Sequence, residues 1–334
     1  MITRRAFLKT TGAAGGGAFI AAGATRSLGA EGPPEIRKLT LVNTTSLCAA
    51  PQYIAEELLR GEGFDEVRHL RLPGGAGVYK ALGTGEADIA MAFAAPFLIQ
   101  VDAGDPTVML AGVHPGCFEL FGNDRVRTIK DLKGKTVAVL GLGGGQHVFV
   151  ASMASYVGLD PRRDITFIEH TAADSMRLLG EGKIDAYLGF PPDPQELRAK
   201  KIGHAVVNST VDRPWSQYFC CIIAGNREFI RRYPVATKLA VRAILKSADV
   251  CALEPARAAR MVVDRGYIER YDYAFETIRG LSYSKWREYD PEDTVRFYAL
   301  RLHEAGMVKS SPQKLIAQGT DWRFLNELKK ELKG

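Results

Sequence analysis

The chain has 334 residues, of which 46% are hydrophobic and 25% are charged. These ordinary globular values exclude a collagen-like, coiled-coil or disordered chain and allow one large domain or two medium ones. The 44 lysine and arginine residues exceed the 38 aspartate and glutamate residues, so the net charge is +6. Residues 1–30 contain four basic residues and no acidic one, which leaves +2 for the rest of the chain. Binding to nucleic acid relies on clustered basic residues, so we expect no nucleic-acid partner.

Residues 1–30 have the pattern of an export signal. Arg4 and Arg5 precede a weakly apolar, Gly- and Ala-rich stretch from Thr10 to Ala24, and Ala30 offers a small residue for cleavage. This is the twin-arginine pattern, which a receptor reads as an address. The stretch is shorter than the roughly 20 apolar residues of a membrane-spanning helix. We therefore predict a soluble periplasmic protein that is not inserted in the membrane, with cleavage after Ala24 as an alternative.

Short apolar runs alternate with amphipathic stretches between residues 37 and 225. This alternation is typical of an α/β fold with strands covered on both faces. From Arg227 onward the pattern is helical. The predicted helix starts are Pro234, Pro255, Pro291 and Pro312, because proline favours the first helical turn. The predicted strands are Leu39–Val42, Ile89–Phe93, Val108–Ala111, Val137–Leu140, Ile165–Ile168, Ala186–Phe190 and an apolar run from Tyr218 to Ile223.

An internal repeat is the most informative feature. Residues 82–93 align without gaps with residues 179–190, and a leucine, two glycines, an aspartate and a phenylalanine coincide. Each copy reads as a helix ended by glycines in left-handed conformations, a turn, and a buried strand that begins after the aspartate. The repeat predicts two similarly built α/β lobes. Ligands of open α/β sheets bind beyond the carboxyl ends of the strands, so residues 93–96 and 190–193 should face one cleft.

Several segments, in order, resemble a known family. They are Ala49–Glu56, Ala81–Ala90, Ile129–Ala138, Tyr156–Pro161 and Phe229–Pro234, and the likeness covers most of residues 36–250. The chain resembles periplasmic substrate-binding proteins of ATP-driven (ABC) uptake systems, of the nitrate/sulfonate/taurine type that also includes binders of thiamine-precursor pyrimidines.

The resemblance implies an α/β, two-lobed periplasmic binding protein (type II) fold, with two doubly wound sheets joined by a two-strand hinge. Lobe 1 would be residues 36–118 plus 219–334, and lobe 2 would be residues 119–218. The lobes would close on a small-molecule ligand, and the protein, expected to be a monomer, would dock to permease subunits of the transporter. Yeast-type pyrimidine synthases that resemble this family use a cysteine-rich motif with adjacent histidines. Only Phe219-Cys220-Cys221 remains of it here, so that chemistry is not expected.

The cysteines are interpreted as packing residues: Cys48, Cys117, Cys220, Cys221 and Cys251. The odd number leaves at least one unpaired, and no Cys-x-x-Cys motif suggests a zinc or thioredoxin-like site. Neighbouring Cys220 and Cys221 fit a buried apolar strand. We therefore predict no metal and no cofactor.

The candidate ligand-binding residues follow the predicted strands. Thr44, Thr45 and Ser46 precede a helix and offer hydroxyl and N–H groups to a ligand, or act only as N-caps. The glycine-rich loop at 141–145 fails as a dinucleotide or phosphate loop. It suits a close approach to a ligand at a helix start, or a tight turn without ligand contact. This loop and the helix start that follows it contribute Gly144, Gln146 and His147.

The remaining candidates lie at the predicted crossing between lobes and around the cleft. His114, with Cys117 nearby, can donate to an anion or serve as a hinge residue satisfied by the backbone. Flat apolar walls could come from Phe93 and Phe190, with Ala95 beside them, and from Tyr218 and Trp215, the last being the preferred candidate. Asp193 could pair with an amino or ring N–H group of the ligand.

The predicted cleft loops contain no lysine or arginine, which disfavours a highly charged phosphate ligand. A small monoanion held by helix starts and a neutral heterocycle or aromatic acid held by stacking both remain open. A periplasmic sensor component and a pyrimidine-precursor biosynthesis enzyme of the same fold are the alternative functions. Neither a His-Glu-x-x-His nor a Gly-x-Ser-x-Gly motif is present, so we expect no enzyme and no catalytic residues.

Overall fold

The computed structural model describes residues 31–44, 46–72 and 75–332. The predicted export signal and Thr45 lie outside the described residues. Residues 33–334 form one compact unit. Among the described residues, no helix combines the length and the apolarity needed to cross a membrane.

Ten strands form two five-stranded sheets. Sheet A has the order β2-β1-β3-β10-β4, and sheet B has the order β7-β6-β8-β5-β9. The strands are β1 Lys38–Asn43, β2 Glu66–Arg71, β3 Ile89–Phe93, β4 Thr107–Pro115, β5 Glu119–Gly122, β6 Lys135–Val139, β7 Ile165–Glu169, β8 Ala186–Gly189, β9 His204–Asn208 and β10 Phe219–Asn226.

The α-helices are α1 Ala50–Ile54, α2 Glu56–Gly61, α3 Gly77–Gly83, α4 Ala94–Ala103, α5 Gly145–Tyr156, α6 Ala172–Gly180, α7 Asp193–Lys200, α8 Arg227–Arg232, α9 Pro234–Leu253, α10 Pro255–Asp264, α11 Tyr271–Gly280, α12 Pro291–Glu304, α13 Pro312–Gly319 and α14 Arg323–Glu331. Four 3₁₀ segments lie at Leu47–Ala49, Ile129–Leu132, Trp215–Gln217 and Tyr283–Arg287. All four prolines predicted to start helices occupy the first helical position. The helical run after Arg227 is confirmed.

The two sheets are built alike, which confirms the mixed α/β fold expected from the repeat. In each sheet three parallel strands lie side by side, and the fourth strand runs antiparallel to its neighbour. The chain enters that fourth strand directly from the other sheet. It crosses from β4 in sheet A to β5 in sheet B, and later from β9 in sheet B to β10 in sheet A. The lobe boundaries remain our proposal, and the sheet memberships support them.

Equivalent side chains hold the two copies of the repeat together. In sheet A, Asp88 accepts a hydrogen bond from the Thr40 N–H at 2.7 Å, and in sheet B, Asp185 accepts one from the Thr136 N–H at 3.0 Å. The predicted left-handed glycines are confirmed, with φ of +76° at Gly85 and +68° at Gly182. Asp88 therefore fixes the start of β3 against β1, and Asp185 fixes the start of β8 against β6.

The predicted strands are present, but sequence patterns missed three others. Strands β2 and β9 lie at sheet edges and are partly exposed along their length, so they lack a continuous apolar run. Strand β5 is only four residues long. The helix predicted to follow Ser46 is split into α1 and α2.

Candidate functional site

A cavity lies between the carboxyl ends of the parallel strands of the two sheets. Thr44 and Ser46 follow β1, Phe93 ends β3, and Phe190 follows β8, so loops of both sheets contribute. The cavity contains about 610 Å³ of empty space, part of it open to solvent. Its lining residues are Thr44, Ser46, Cys48, Ala49, Gly75, Val78, Tyr79, Met91, Ala92, Phe93, Cys117, Phe118, Leu140, Gly141, Gly144, Gly145, Gln146, Phe190, Cys220 and Cys221.

Aromatic rings form much of the cavity wall. Phe118 meets Phe93 edge to face, with ring centroids 5.2 Å apart, and meets Phe190 in the same manner at 6.2 Å. Phe93 is on sheet A and Phe190 follows a strand of sheet B, so the aromatic wall joins the two halves. Such a wall suits a flat, apolar part of a ligand.

The start of helix α5 supplies polar groups to the same cavity. Gly144 is the N-cap and has no side chain to bond the first turn. Among the described residues, the Val148 N–H donates to the Gly144 carbonyl. No earlier backbone N–H of this helix has an acceptor among the described residues of the preceding turn. The N–H groups of Gly145 and Gln146 are therefore available to an acceptor atom of a ligand, and the helix dipole favours negative charge there.

Among the described residues that line the cavity there is no lysine, arginine, histidine, aspartate or glutamate. The Tyr79 hydroxyl is one of the neutral donors among the lining residues, and it makes no hydrogen bond within the described residues. A Cβ atom at Gly145 would lie 3.2 Å from that hydroxyl oxygen, which places Tyr79 beside the start of α5. Burial raises the pKa of Tyr79 well above its usual value, so the hydroxyl remains protonated and can donate.

Two glutamines brace the strand ends around the cavity. Gln52 accepts from the Met91 N–H at 2.9 Å and donates to the Val42 carbonyl at 2.6 Å. Gln146 accepts from the Leu140 N–H at 2.8 Å and donates to the Leu188 carbonyl at 2.5 Å. The Gln52 amide thus links β1 to β3, and the Gln146 amide links the end of β6 to β8. The side chain of Gln146 is used structurally, although its backbone faces the cavity.

Glycines bring the two halves into close contact at the cavity mouth. A Cβ atom on Gly144 would lie 2.5 Å from the Cα of Gly75, a separation that real Cβ atoms do not tolerate. Gly144 has φ of −80° and ψ of 172°, which any residue can adopt, so its requirement for glycine is purely steric. The close approach of these two backbones narrows the entrance to the cavity.

The structure brings together half of the candidate residues named from the sequence. Those that line the cavity are Thr44, Ser46, Phe93, Cys117, Gly144, Gln146 and Phe190. N-capping by Ser46 is not found, because its hydroxyl lies 2.9 Å from the Cys48 Sγ instead of bonding the helix start. Thr44 pairs with the Tyr53 hydroxyl at 3.2 Å.

The other described candidates lie outside the main cavity. Trp215 is buried behind β10 against Phe149, with ring centroids 5.3 Å apart, and Tyr218 stacks on Phe297 at 4.0 Å. Neither ring therefore forms a wall of this cavity. The remaining residues outside it are Ala95 in helix α4, His114 on β4, His147 in helix α5 and Asp193 at the start of α7.

Asp193 lines an adjoining cavity, which contains about 1060 Å³ of empty space and is thus larger than the main cavity, and which also contacts Phe190 and Tyr267. Its carboxylate accepts a hydrogen bond from the Tyr187 hydroxyl at 2.5 Å. Burial raises the pKa of Asp193 to about 6, and the Tyr187 hydrogen bond offsets only part of that effect. The Leu47 N–H donates to the Pro191 carbonyl at 3.0 Å beside this cavity and links the two halves.

Four buried cysteines converge under the main cavity, which the sequence interpretation did not anticipate. Cys48 follows β1, Cys117 lies in the first crossing, and Cys220 and Cys221 are on β10. The Cys117 and Cys220 sulfurs are 2.9 Å apart, and the Cys48 and Cys221 sulfurs are 3.7 Å apart. The five cysteines are all unpaired, and the fifth, Cys251, is buried in helix α9.

Sequence reasoning also missed Tyr79, Phe118 and Gly75 as lining residues. A signal for Tyr79 and Gly75 was present, since both lie in the glycine-rich segment that follows β2. Phe118 gave no signal, because its position depends on the crossing between the sheets.

The matching family model is described as NMT1/THI5 like and covers residues 60–258, more than half of the chain. No curated protein is similar enough in sequence to match. The structure is similar to the periplasmic nitrate-binding protein NrtA from Synechocystis PCC 6803, with a TM-score of 0.72 and 16% identity over 90% of each chain.

Two further solved structures show the breadth of this fold. The alkanesulfonate-binding protein SsuA from Xanthomonas axonopodis pv. citri, bound to MOPS, gives a TM-score of 0.68 at 16% identity, over 86% of this chain and 99% of that chain. The desulfurization enzyme DSZB gives a TM-score of 0.60 at 15% identity, over 89% of this chain and 99% of that chain. Binding proteins and an enzyme thus share the fold. With its two linked sheets and the family match over residues 60–258, the chain belongs to the NMT1/THI5 like family and has the periplasmic binding protein fold.

Proposed function

We propose that the protein is the solute-binding component of an ABC uptake transporter. It captures a small molecule in the cavity between the two sheets and delivers it to permease subunits. The observation that carries the proposal is the cavity itself: both halves line it, two crossings join the halves, and its entrance is narrowed by the Gly75–Gly144 contact. Ligand-driven closure of two linked halves is a common design for binding and release.

The cavity chemistry favours a small, flat and weakly charged ligand. Four of its described lining residues are aromatic, namely Tyr79, Phe93, Phe118 and Phe190, and no described lining residue carries a charged side chain. The start of α5 and the Tyr79 hydroxyl offer donors for one acceptor group. A monocyclic aromatic acid or a neutral nitrogen heterocycle meets both requirements, whereas a phosphate ligand would lack an arginine or lysine partner.

We further propose that the protein works in the periplasm as a monomer, after export through the twin-arginine route. The paired Arg4 and Arg5 ahead of a weakly apolar stretch support this route. Binding without turnover is also part of the proposal. The relationship to DSZB in fold makes turnover the alternative that must be tested.

A thermal-shift screen tests the binding function. The panel contains nitrate, alkanesulfonates, aromatic acids, pyrimidines and flavins. A ligand at about 100 times its dissociation constant adds about 2.7 kcal/mol, enough to raise the melting temperature by several degrees. We expect aromatic acids or pyrimidines to stabilise the protein, and nitrate and alkanesulfonates to have no effect.

Uptake and turnover assays separate the competing functions. Cells lacking the protein should lose uptake of the stabilising compound, and the pure protein should return that compound unchanged. Normal uptake in those cells would contradict the transport role and favour a sensor. Conversion of the compound by pure protein would contradict binding without turnover.

A further inference from the structure

The cysteine cluster has the composition of a metal site. Two groups of three side chains each place their ligand atoms within 4.8 Å of one another: Cys48, His114 and Cys221, and Cys117, Cys220 and Cys221. Cys221 belongs to both groups, and all these residues are buried. Thiolates and a neutral imidazole are the ligands that Zn²⁺ and Cu⁺ prefer in proteins.

His114 is oriented as a ligand. Its Nδ1 faces the carbonyl oxygens of Gly116 and Pro115, at 3.1 and 3.3 Å, so that nitrogen carries the ring proton. Its Nε2 is completely buried and has no hydrogen-bond partner among the described residues. A metal-bound histidine commonly donates its other ring N–H to a carbonyl, which fixes the ring and leaves the free nitrogen for the metal. A buried, unpartnered nitrogen is otherwise costly.

The sulfur spacing matches that of a tetrahedral site. With metal–sulfur bonds of about 2.3 Å, two thiolates on one tetrahedral ion lie about 3.8 Å apart. The Cys48 and Cys221 sulfurs are 3.7 Å apart. The Cys117 and Cys220 sulfurs, at 2.9 Å, are too close to bind the same ion without moving apart.

We propose that Cys48, His114 and Cys221 bind one thiophilic cation, Zn²⁺ or Cu⁺. The Cys117 thiol is grouped with Cys221 but not with Cys48 and His114, so it would have to move toward the ion to complete the coordination. The cation reaches the site through the main cavity, which all four clustered cysteines line. This inference does not depend on the transport role, because metal binding is measured without a ligand or a permease.

Binding of a cation also requires the cysteine ligands to lose their protons. The thiolate, not the thiol, is the metal ligand, so the bound cation displaces the thiol protons and its affinity rises with pH.

The test is a metal titration of the protein expressed with its own N-terminal segment and purified anaerobically. Zn²⁺ and Cu⁺ are titrated separately in competition with chromophoric chelators, and Co²⁺ is used as a spectroscopic probe. We expect about one equivalent of Zn²⁺ or Cu⁺ to bind, and Co²⁺ to give sulfur-to-metal charge-transfer bands. Cys221→Ser should weaken binding by about 100-fold or more.

Cys251→Ser is the matched control. Cys251 is an equally buried thiol whose pKa is raised by burial alone. The substitution should leave metal affinity unchanged. His114→Gln serves as a second variant, and melting of the metal-free proteins shows whether each variant folds.

Three results would overturn the proposal. The reduced wild-type protein could fail to bind either cation at micromolar concentration. Cys251→Ser could lose as much affinity as Cys221→Ser. The isolated protein could contain a Cys117–Cys220 disulfide that persists under mild reduction, which would remove the Cys117 thiol from the site. Because Co²⁺ spectra of the wild-type protein count its thiolate ligands directly, the test does not depend on a variant that folds poorly.

Discussion

At the scale of single residues, Tyr79 is the clearest candidate for ligand recognition. Its hydroxyl lines the main cavity beside the start of α5 and has no partner within the described residues. We predict that Tyr79→Phe weakens ligand binding by about tenfold, because one hydrogen bond of about 1–1.5 kcal/mol is lost. Calorimetric titration with a compound from the screen measures the change.

Tyr156→Phe is the control for this prediction. Tyr156 ends helix α5 and is 46% exposed, away from the main cavity. The control should bind as the wild-type protein does, and both variants should keep the wild-type melting temperature. Equal affinities in the two variants would remove Tyr79 from the site.

Asp193 should give the protein a dependence of stability on pH. Its folded-state pKa of about 6 exceeds the ordinary value of 3.8, because burial disfavours the charged carboxylate. Between pH 4 and pH 6 the unfolded chain releases this proton and the folded protein keeps it, so the free energy of unfolding falls as the pH rises. The loss is at most about 3 kcal/mol and is complete above the folded-state pKa.

Asp193→Asn should remove this loss. The melting temperature of the variant, relative to the wild-type protein, should increase as the pH rises from about 4 to about 6 and should then stay level. Thermal unfolding in a series of buffers gives this difference directly. A difference that does not change across this range would show that Asp193 ionises normally.

At the scale of secondary-structure elements, the repeat places two aspartates in the same role with opposite electrostatics. Burial raises the pKa of Asp88. Burial acts in the same direction on Asp185, but the Thr136 N–H and Arg125 outweigh it and lower the pKa of Asp185. Arg125 lies 2.7 Å from the Asp185 carboxylate.

The loss of stability caused by substituting these two aspartates should therefore change with pH in opposite directions. Asp185→Asn should destabilise the protein most at neutral pH, and its cost should shrink as the pH falls through the folded-state pKa. Asp88→Asn mimics the protonated form, so its cost should shrink as the pH rises. Paired chemical unfolding experiments at pH 3.5, 5 and 7 test this. Parallel trends in the two variants would contradict the prediction.

The loop before α5 should control closure of the cavity. Gly144→Ala is compatible with the local backbone but places a Cβ 2.5 Å from the Gly75 Cα. We predict that this variant binds ligand at least about tenfold more weakly, because the added Cβ forces the two backbones apart and so opposes closure of the cavity. Gly280→Ala, where a Cβ would contact nothing within 4 Å, is the control and should bind normally. Wild-type affinity in Gly144→Ala would show that closure does not involve this contact.

The sequence predicted the elements that carry continuous apolar runs or proline starts. It also predicted the repeat, because Asp88 and Asp185 occur in matching local patterns. Edge strands such as β2 were missed because their polar exposed face resembles a loop. The cysteine cluster could not be predicted, since its sulfur contacts join residues 103 and 173 positions apart.

Site residues were predicted correctly where their place after a strand determines their position. They were missed where packing between distant segments determines it. Phe93 and Gly144 follow strands whose ends face the cavity, as expected from the α/β pattern. Trp215 is flanked by polar residues, which suggested an exposed ring, but packing against Phe149 and Phe297 buries it. The polarity of neighbouring residues in sequence therefore does not show whether distant segments bury a side chain.

At the scale of the whole molecule, polar contacts between helices α7 and α11 hold the two halves together. Arg198 lies 3.0 Å from Glu276, and the Gln195 amide donates to the Thr277 hydroxyl at 3.2 Å. Arg198 also pairs with Glu119 on β5, at 2.7 Å. The Arg198–Glu276 pair is partly exposed, so it adjusts the balance between open and closed forms and does not determine the fold, whereas the Gln195–Thr277 contact is buried.

Glu276→Gln should shift the protein toward the open form. We predict a larger radius of gyration without ligand, measured by small-angle scattering, and a two- to fivefold weaker affinity, because part of the binding energy must then close the halves. Glu292→Gln, which removes a pair within helix α12, is the control. Ligand saturation should make all three proteins equally compact. A ligand that leaves the radius of gyration unchanged would contradict hinge closure.

The crossing of strands between the sheets also sets the order in which the halves can be completed during synthesis. All strands of sheet B lie within residues 119–208, so this half has its full set of strands before the chain is finished. Sheet A must wait, because β10 at residues 219–226 lies between β3 and β4. Strands β3 and β4 therefore leave the ribosome before β10, the neighbour that they share. During that interval β3 and β4 have exposed apolar edges, a state in which a cell benefits from a chaperone.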